Sequence, residues 1–438
     1  MINNKIHEPL FHLTKRTTGG SKRAWALRAI AFAVSVLVCG IVTIIIVAVN
    51  NEQLSQAGRY FEEYSFEQYF LDFGEGVFGS PRTIWNLFQE TAILLIIALA
   101  VTPCFKMKFW NIGGEGQVLM GALGAAIVIR FMMGKGYSDG LIIFLSLLLA
   151  IGLGVAWAVV PALFKAKWNT NETLLTLMMN YIAVCLVSFF VAKNPTAGSN
   201  TIFFDKGGTI PPIGPQEFVG KEFVLFIIVA AVITTIMAIY LKYSKHGYEV
   251  AVVGESPNTA KYVGINTKAV IIRTLVLCGV LCGITGFLLV SAKDFSLRED
   301  TVGGRGFTGV LISWLGQFNP IFMVVTSFLV VFIQRGSAKV ATYQAFGTSY
   351  PSVMAGIFFF FIIAVEFFVN YKFVFREDIQ AKIDAFNEKV KLTLSKNKKV
   401  EEAPPVVHIQ AGEEQKEEPA QEVVEEPANV EESVKEDK

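Results

Sequence analysis

The sequence predicts an all-α polytopic membrane protein of about ten transmembrane helices, with an inverted repeat and a disordered acidic C-terminal tail. Hydrophobic residues make up 53% of the 438-residue chain and charged residues only 17%, whereas soluble domains carry nearer a quarter charged residues. Apolar runs of about twenty residues recur, and each is long enough to cross a bilayer core of roughly 30 Å as a helix. A third observation is that two glycine-rich stretches interrupt this apolar pattern.

The apolar runs give the predicted spans in chain order. They cover residues 25–49, 84–103, 113–133, 140–164, 173–192, 223–243, 270–291, 302–316, 320–334 and 351–369. The eighth run is short, since its helix would reach only about 22 Å, and four glycines fall in its first half. We therefore predict a broken or re-entrant element there.

The distribution of lysine and arginine predicts which side each loop occupies, because cytoplasmic loops are enriched in these residues. An N-terminal arm, residues 1–28, has six basic residues and one acid and is predicted to be cytoplasmic. With alternating spans, the segments on the arm's side hold 21 Lys and Arg up to residue 400, and the opposite loops hold ten. The transmembrane domain, 29–370, should therefore lie in the membrane with both termini inside.

Two segments of different composition follow the last span. Residues 371–400 carry eight basic residues and four acids, which predicts a basic cytoplasmic helix beside the anionic leaflet. Residues 401–438 carry 13 acids, three lysines and several prolines. Such a composition cannot bury a core and predicts a disordered tail, either solvated or used for docking.

The two glycine-rich stretches are "NIGGEGQ" (111–117), which opens the third span, and "TVGGRGF" (301–307), which opens the eighth. In the predicted topology these spans run in opposite directions, so spans 2–5 and 7–10 would form an inverted repeat. Inverted repeats in transporters meet near the bilayer midplane, where interrupted helices form the substrate path. Unwound backbone is tolerated at that depth only where protein or water satisfies it. We therefore expect NIGGEGQ to be an unwound helix end beside a cavity.

Four motifs resemble one family, the permease subunits of bacterial ABC importers in the branched-chain amino-acid, ribose and nucleoside permease superfamily. They are NIGGEGQ, "NETLLTLMMNYIA" (171–183), "VGESPNTAKYVGI" (253–265) and "GGRGFTGV" (303–310), in the family's order. The NIGGEGQ form is most similar to the nucleoside-uptake branch. The chain departs from the family at Ser256 and Asn258 and in the bulky run "LISWLGQFNP" (311–320). Because this run lies near the expected path, the departure bears on the identity of the substrate more than on the fold.

The resemblance implies that the chain translocates nucleosides, or else a simple sugar, as one subunit of an ATP-driven importer. Its implied partners are an ATP-binding subunit, a second permease subunit that forms a heterodimer with it, and an extracellular substrate-binding lipoprotein. No nucleic-acid partner is expected. No GxxxxGK[ST] phosphate loop occurs in the sequence, so the chain is predicted to hydrolyse nothing and bind no cofactor, with ATP and Mg held by the partner.

Polar and aromatic residues within the spans are the candidates for the substrate path. An ionised Glu115 costs at least roughly 2.5 kcal/mol to insert, so it should face the path or brace freed backbone. Asn180 lies on one helical face with Thr173 and Thr176, which should point inward to the path or to another helix. Arg305 is expected either to pair with an acid across the repeat, with Glu115 as one possible partner, or to contact the substrate directly. The predicted path residues are Asn111, Glu115, Gln117, Asn180, Arg305 and Trp314.

Asn111 and Gln117 can bind a ribose or base edge or can cap the broken helix. Trp314 and Phe318 can stack on a purine or can simply fill the core.

The cytoplasmic loop 244–269 resembles the coupling helix that seats in a groove of the ATP-hydrolysing subunit. Its alternative interpretation is a plain interfacial loop. The predicted coupling residues are Gly247, Gly254, Glu255, Asn258, Tyr262 and Gly264.

Two other classes of protein are alternatives to the importer subunit. An ion-coupled secondary transporter needs intramembrane acids, a role that Glu90, Glu115 or Glu366 could serve. A membrane enzyme needs a catalytic or metal-binding constellation, but all four histidines lie outside the predicted spans and the five cysteines form no CxxC pair. We interpret the cysteines as small packing residues.

Overall fold

The computed structural model describes residues 11–15, 22–56, 66–194, 200–204, 209–210, 223–343 and 349–375. The chain divides into a large unit, Lys15–Lys372, and a smaller one formed by Met1–Thr14 with Phe373–Lys438. Strands β1 (Phe11–Lys15) and β4 (Tyr371–Phe375) pair in a two-stranded sheet. The predicted basic helix, 371–400, therefore begins as a strand, and its remainder and the acidic tail lie outside the described residues.

The large unit is built from helices, whose bounds are as follows. The first six are α1 (Lys22–Gln56), α2 (Phe66–Phe78), α3 (Pro81–Lys106), α4 (Gly114–Met132), α5 (Asp139–Trp168) and α6 (Glu172–Lys193). The next four are α7 (Phe223–Tyr243), α8 (Lys245–Glu255), α9 (Pro257–Tyr262) and α10 (Thr267–Leu288), which continues into a π-helical turn, Leu289–Lys293. The last three are α11 (Arg305–Leu315), α12 (Pro320–Tyr343) and α13 (Tyr350–Asn370).

Nine helices in the described ranges are long and apolar enough to cross a membrane, which confirms an all-α polytopic membrane protein. The eighth predicted span, 302–316, is instead the eleven-residue helix α11, too short to cross a bilayer. The expectation of a broken or re-entrant element there is thus confirmed. Helix α12 extends beyond its predicted end at residue 334 because Arg335 and Lys339 pair with Glu90 and Glu75 instead of facing lipid.

The sequence does not predict helix α2, because its acids lie in a segment with the composition of an outer loop. It is amphipathic and packs on α12 through Phe73, whose ring touches Gly336. A short antiparallel pair, β2 (Ile202–Phe203) and β3 (Ser296–Leu297), joins the segment after α6 to the segment after α10.

Small residues allow α4, α5 and α10 to pack at backbone contact. A Cβ on Gly286 of α10 would lie 2.3 Å from the Val118 carbonyl oxygen of α4, and one on Gly283 would lie 2.7 Å from the Ala150 oxygen of α5. Helices in lipid associate through close packing of small residues, because no hydrophobic driving force brings them together there. This tightly packed core supports the interrupted helices α4 and α11.

The directions of the helices follow from their contacts. Helix α11 runs parallel to α3, since Arg305 bonds to Glu90 and Ser313 to Thr102 at 2.8 Å. Helix α4 is antiparallel to α5, because Gly124 lies against Leu149 whereas the earlier Gly116 lies against Trp157.

The C-terminal end of α5 and that of α3 lie together with α8, where Lys165 and Met107 line a common cavity with Gly254. We call this the α8 end of the bundle. Helix α3 therefore runs toward the α8 end together with α11, whereas α4 runs away from it. The two glycine-rich stretches thus open helices of opposite direction, as predicted.

Candidate functional site: two interrupted helices that meet end to end

The N-termini of α4 and α11 meet inside the bundle, and Glu115 joins them. Its two carboxylate oxygens accept hydrogen bonds from the backbone N–H groups of Gly304 (2.8 Å) and Gly306 (2.6 Å) at the start of α11. A Cβ on Gly306 would lie 2.2 Å from the Glu115 backbone nitrogen, so only glycine permits this approach. Because both helix N-termini carry partial positive charge, the carboxylate between them stabilises the contact.

The unwound segment before α4, residues 107–113, is held by side chains of α6. Asn180 accepts a bond from the Gly116 N–H (2.9 Å) and donates to the Ile112 carbonyl (3.0 Å). Thr176 accepts from the Ile112 N–H (3.3 Å). The predicted inward face of α6 is thus directed at the freed backbone of the neighbouring interrupted helix, whose polar groups it satisfies.

Asn111 and Gln117 lie together on the opposite side of the same segment, against α10. The Asn111 oxygen accepts from the Gly113 N–H (3.1 Å) and the Gln117 amide (3.3 Å), and its amide donates to the Cys278 sulfur (3.3 Å). The Cys278 thiol donates in turn to the Gln117 oxygen (3.2 Å). Both amides are buried, Asn111 completely, and these contacts support the helix-capping alternative. Their role as path residues stays a prediction.

Arg305 pairs across the repeat with Glu90 on α3 and not with Glu115. Its guanidinium donates to both Glu90 oxygens (3.2 and 3.3 Å) and to the carbonyls of Thr301 and Val302. The same carboxylate accepts from Lys293 at 3.0 Å and from Arg335 at 3.3 Å. Glu90 therefore joins α3 to the π-helical turn, α11 and α12, a hub that sequence reasoning missed because its cations are distant in sequence.

The predicted coupling loop forms two short helices at the α8 end of the bundle. Ser244 caps α8, with its hydroxyl accepting from the Gly247 N–H (2.9 Å), and Ser256 caps α9 through the Thr259 N–H (3.2 Å). Ser256, a position where the chain departs from the family motif, thus supplies the cap of α9, a role for which serine is well suited.

Helix α8 is fixed to the membrane helices. Arg273 of α10 donates to Glu249 at 2.6 Å and lowers the pKa of that carboxyl group.

The six predicted coupling residues divide into two groups. Gly247 and Gly254 are buried, and a Cβ on Gly254 would lie 2.1 Å from the Lys106 carbonyl oxygen at the end of α3. They attach the loop to the membrane helices and cannot themselves contact a partner in this conformation. Exposed residues form the outer surface, which comprises Glu255, Asn258, Tyr262 and Gly264.

Trp314, at the far end of α11, packs against Trp110 and Phe105, with ring centroids 5.1 and 6.1 Å apart. It therefore lies apart from the Glu115 contact and from Asn180. The structure brings together Asn111, Glu115, Gln117 and Asn180 around the start of α4, and places Arg305 at the adjoining start of α11.

Interrupted helices that meet end to end within a polytopic bundle are a feature of membrane transport proteins. Comparison with known proteins agrees with this class. A family model described as the permease component of the branched-chain amino acid transport system matches residues 83–364. The chain therefore belongs to this family of ABC transporter permeases.

Three relatives illustrate the range of substrates. A glucose ABC transporter permease of Haloferax volcanii is 27% identical over 64% of this chain and 75% of its own length. A guanosine ABC transporter permease of Bacillus subtilis is 24% identical, covering 68% and 86% respectively. A nucleoside ABC transporter permease of Lactococcus lactis is 25% identical, covering 67% and 82%. No solved structure matches the chain.

Proposed function

We propose that the chain is the membrane-spanning subunit of an ATP-driven importer that carries nucleosides into a bacterial cell. The observation that carries the proposal is the pair of interrupted helices joined at Glu115, on a chain of the ABC permease family. Two of the three relatives described above are named for guanosine or nucleoside transport. The glucose permease of Haloferax volcanii makes a simple sugar the second candidate substrate.

The contacts of the intramembrane acids favour an importer driven by a partner over an ion-coupled transporter. Glu90 is bonded to three cations, Glu115 to two backbone N–H groups and Glu366 to Arg28 at 3.0 Å. An acid that carries ions must exchange its partners with water during each cycle. Carboxylates held by several internal bonds are better suited to bracing the helices.

The partners follow from the same proposal. An ATP-binding subunit that holds ATP and Mg would seat on the exposed surface of α8 and α9. The α8 end and both termini would then lie on the cytoplasmic side. A second permease subunit, here a paralogue in a heterodimer, would complete the path. A substrate-binding lipoprotein would deliver nucleoside at the opposite end.

Uptake by cells that lack their own nucleoside transporters tests the substrate. With the importer expressed, excess unlabelled nucleoside should suppress uptake of a labelled nucleoside at limiting concentration, whereas glucose and riboflavin should not. Energy-dependent accumulation of labelled glucose, without any accumulation of nucleosides, would contradict the nucleoside assignment and favour the sugar alternative.

Replacement of Tyr262 by alanine tests the coupling surface. Its side chain is 92% exposed, so the change should leave the membrane helices intact. Removing an aromatic anchor from an interface commonly costs about 2 kcal/mol or more, roughly thirtyfold in affinity. We therefore expect weaker retention of the ATPase subunit in pull-down and a matching loss of uptake.

Tyr137→Ala is the matched control, because Tyr137 is 52% exposed and lies between α4 and α5, remote from the α8 end. It should retain both the ATPase subunit and uptake. Gly254 is unsuitable for this test, since a bulky side chain there would displace α3 before it met any partner. Normal ATPase retention and uptake in Tyr262→Ala would remove this residue from the coupling surface.

A further inference from the structure

An open cavity lies at the α8-proximal ends of α3 and α11, and its walls are aromatic. Its volume is about 470 Å³. Four rings line it, from the ends of α3 and α11 and the loops that follow them: Phe105, Trp110, Trp314 and Phe318. The cavity is distinct from the Glu115 contact, since it lies at the C-terminal end of α11 and not at its start. We call it the aromatic cavity.

The rings meet edge to face, which leaves ring faces exposed. Trp110 and Trp314 lie at an interplanar angle of 63°, and Phe105 and Trp314 at 86°. The two tryptophans remain 45% and 43% exposed. An aromatic cluster that served only as core would bury these surfaces. This one presents indole faces to an open space instead.

The backbone around the cavity adopts a costly conformation. Lys108, Gln317 and Phe318 have positive φ angles of 59°, 52° and 57°, in a region that residues with a Cβ rarely adopt. Within the described residues only two other non-glycine residues, Asn169 and Phe295, share this feature. Lys108 and Gln317 each follow the cap of a helix, where a left-handed residue commonly ends the helix, and the Phe109 and Phe318 N–H groups bond back to the carbonyls of Cys104 and Ser313. The left-handed residues turn both loops so that Trp110 and Phe318 face the cavity.

The rim of the cavity is polar but nearly balanced in charge. It comprises Lys108, Gln317 and Glu366, and Glu366 is paired with Arg28 of α1 at 3.0 Å. The Gln317 amide donates to the same carboxylate. Glu366 is thus held by internal bonds, and the Gln317 amide beside the stacking faces matches a flat, uncharged ring that carries hydrogen-bonding groups on its edge.

We propose that the aromatic cavity binds the base of the transported nucleoside by stacking on Trp110 and Trp314, with Gln317 at the base's polar edge. The inference rests on the proposed nucleoside transport and assigns the residues that recognise the heterocycle. The cavity would therefore contribute to recognition of the base in addition to the path between the interrupted helices.

Trp314→Leu tests the proposal, because it removes the indole but keeps an apolar side chain. Stacking of one base on one aromatic ring is worth roughly a five- to hundredfold change in affinity. At limiting nucleoside, uptake by the assembled importer should fall within that range. Trp314→Phe retains a stacking face and should recover most of the loss.

Trp110→Leu provides a second variant on the facing ring and should behave like Trp314→Leu. Phe144→Leu is the control, since Phe144 is 62% exposed near the start of α5, away from the α8 end, and does not line the cavity. Membrane content of each variant, measured by immunoblotting, normalises the uptake.

The outcomes separate this proposal from the one on which it rests. If the wild type takes up nucleosides and both leucine variants match it, the stacking site is wrong and nucleoside transport stands. An equal loss in Trp314→Phe and Trp314→Leu would also overturn stacking, because shape and not the aromatic face would then matter. If the wild type accumulates a sugar and no nucleoside, both proposals fail together.

Discussion

Replacing Glu115 by glutamine should reduce uptake at limiting substrate about a hundredfold and lower the stability of the purified permease. The carboxylate accepts two backbone N–H groups of α11, whereas an amide has one oxygen and must turn its NH2 group toward the other N–H. Each hydrogen bond to a charged group contributes about 1.5–3 kcal/mol. The two facing helix N-termini would also lose the negative charge between them.

Thermal unfolding in detergent and uptake in cells measure this effect. Glu115→Asp keeps the charge on a shorter side chain and should lie between the wild type and Glu115→Gln. Glu67→Gln, an exposed change on α2, is the control for loss of a carboxylate. A Glu115→Gln protein with wild-type stability and uptake would show that the contact between α4 and α11 is not important.

Replacing Glu90 by glutamine should destabilise the protein by about 3–5 kcal/mol, the usual cost of leaving one side of a buried ion pair without its partner. Here three cations are affected, Lys293, Arg305 and Arg335, and they converge from three different elements. The change should also impair uptake, because Arg305 sits at the start of α11 beside the Glu115 contact. Stability measured by thermal unfolding of the purified protein should show the loss directly.

A double-mutant cycle isolates the pairing. Arg305→Gln combined with Glu90→Gln should recover part of the loss, with a coupling free energy of about 1–3 kcal/mol. Glu75→Gln is the control, because Glu75 pairs with Lys339 on the surface and such pairs contribute about 1 kcal/mol or less. Strictly additive losses for Glu90 and Arg305 would contradict the assignment of the pair.

The fold was predictable from sequence where a single physical signal dominates. Long apolar runs predicted the nine spanning helices, and the density of glycines predicted that residues 302–316 would form a broken or re-entrant element. The spacing of Thr176 and Asn180 predicted that one face of α6 turns inward. Whether it faced a cavity or another backbone depended on tertiary contacts that no local pattern encodes.

The details of the candidate site were harder to predict, because they arise from residues far apart in sequence. Glu115 was identified as an acid that must be satisfied, yet its partners are backbone N–H groups some 190 positions later, which have no side-chain signature. Arg305 was expected to pair across the repeat, but the choice of Glu90 depends on α3 and α11 running in parallel. The aromatic cavity requires left-handed backbone at Lys108, Gln317 and Phe318, and none of these residue types indicates that conformation.

We propose that this permease moves nucleosides using ATP hydrolysed by a separate subunit. The most direct test is uptake of labelled nucleoside into proteoliposomes that contain the purified permease pair and ATPase subunit, with the binding lipoprotein on the delivery side. Accumulation should require ATP on the ATPase side and should persist when ionophores abolish ion gradients. Nucleoside accumulation by the permease without the ATPase subunit, driven by a proton or sodium gradient, would contradict the claim.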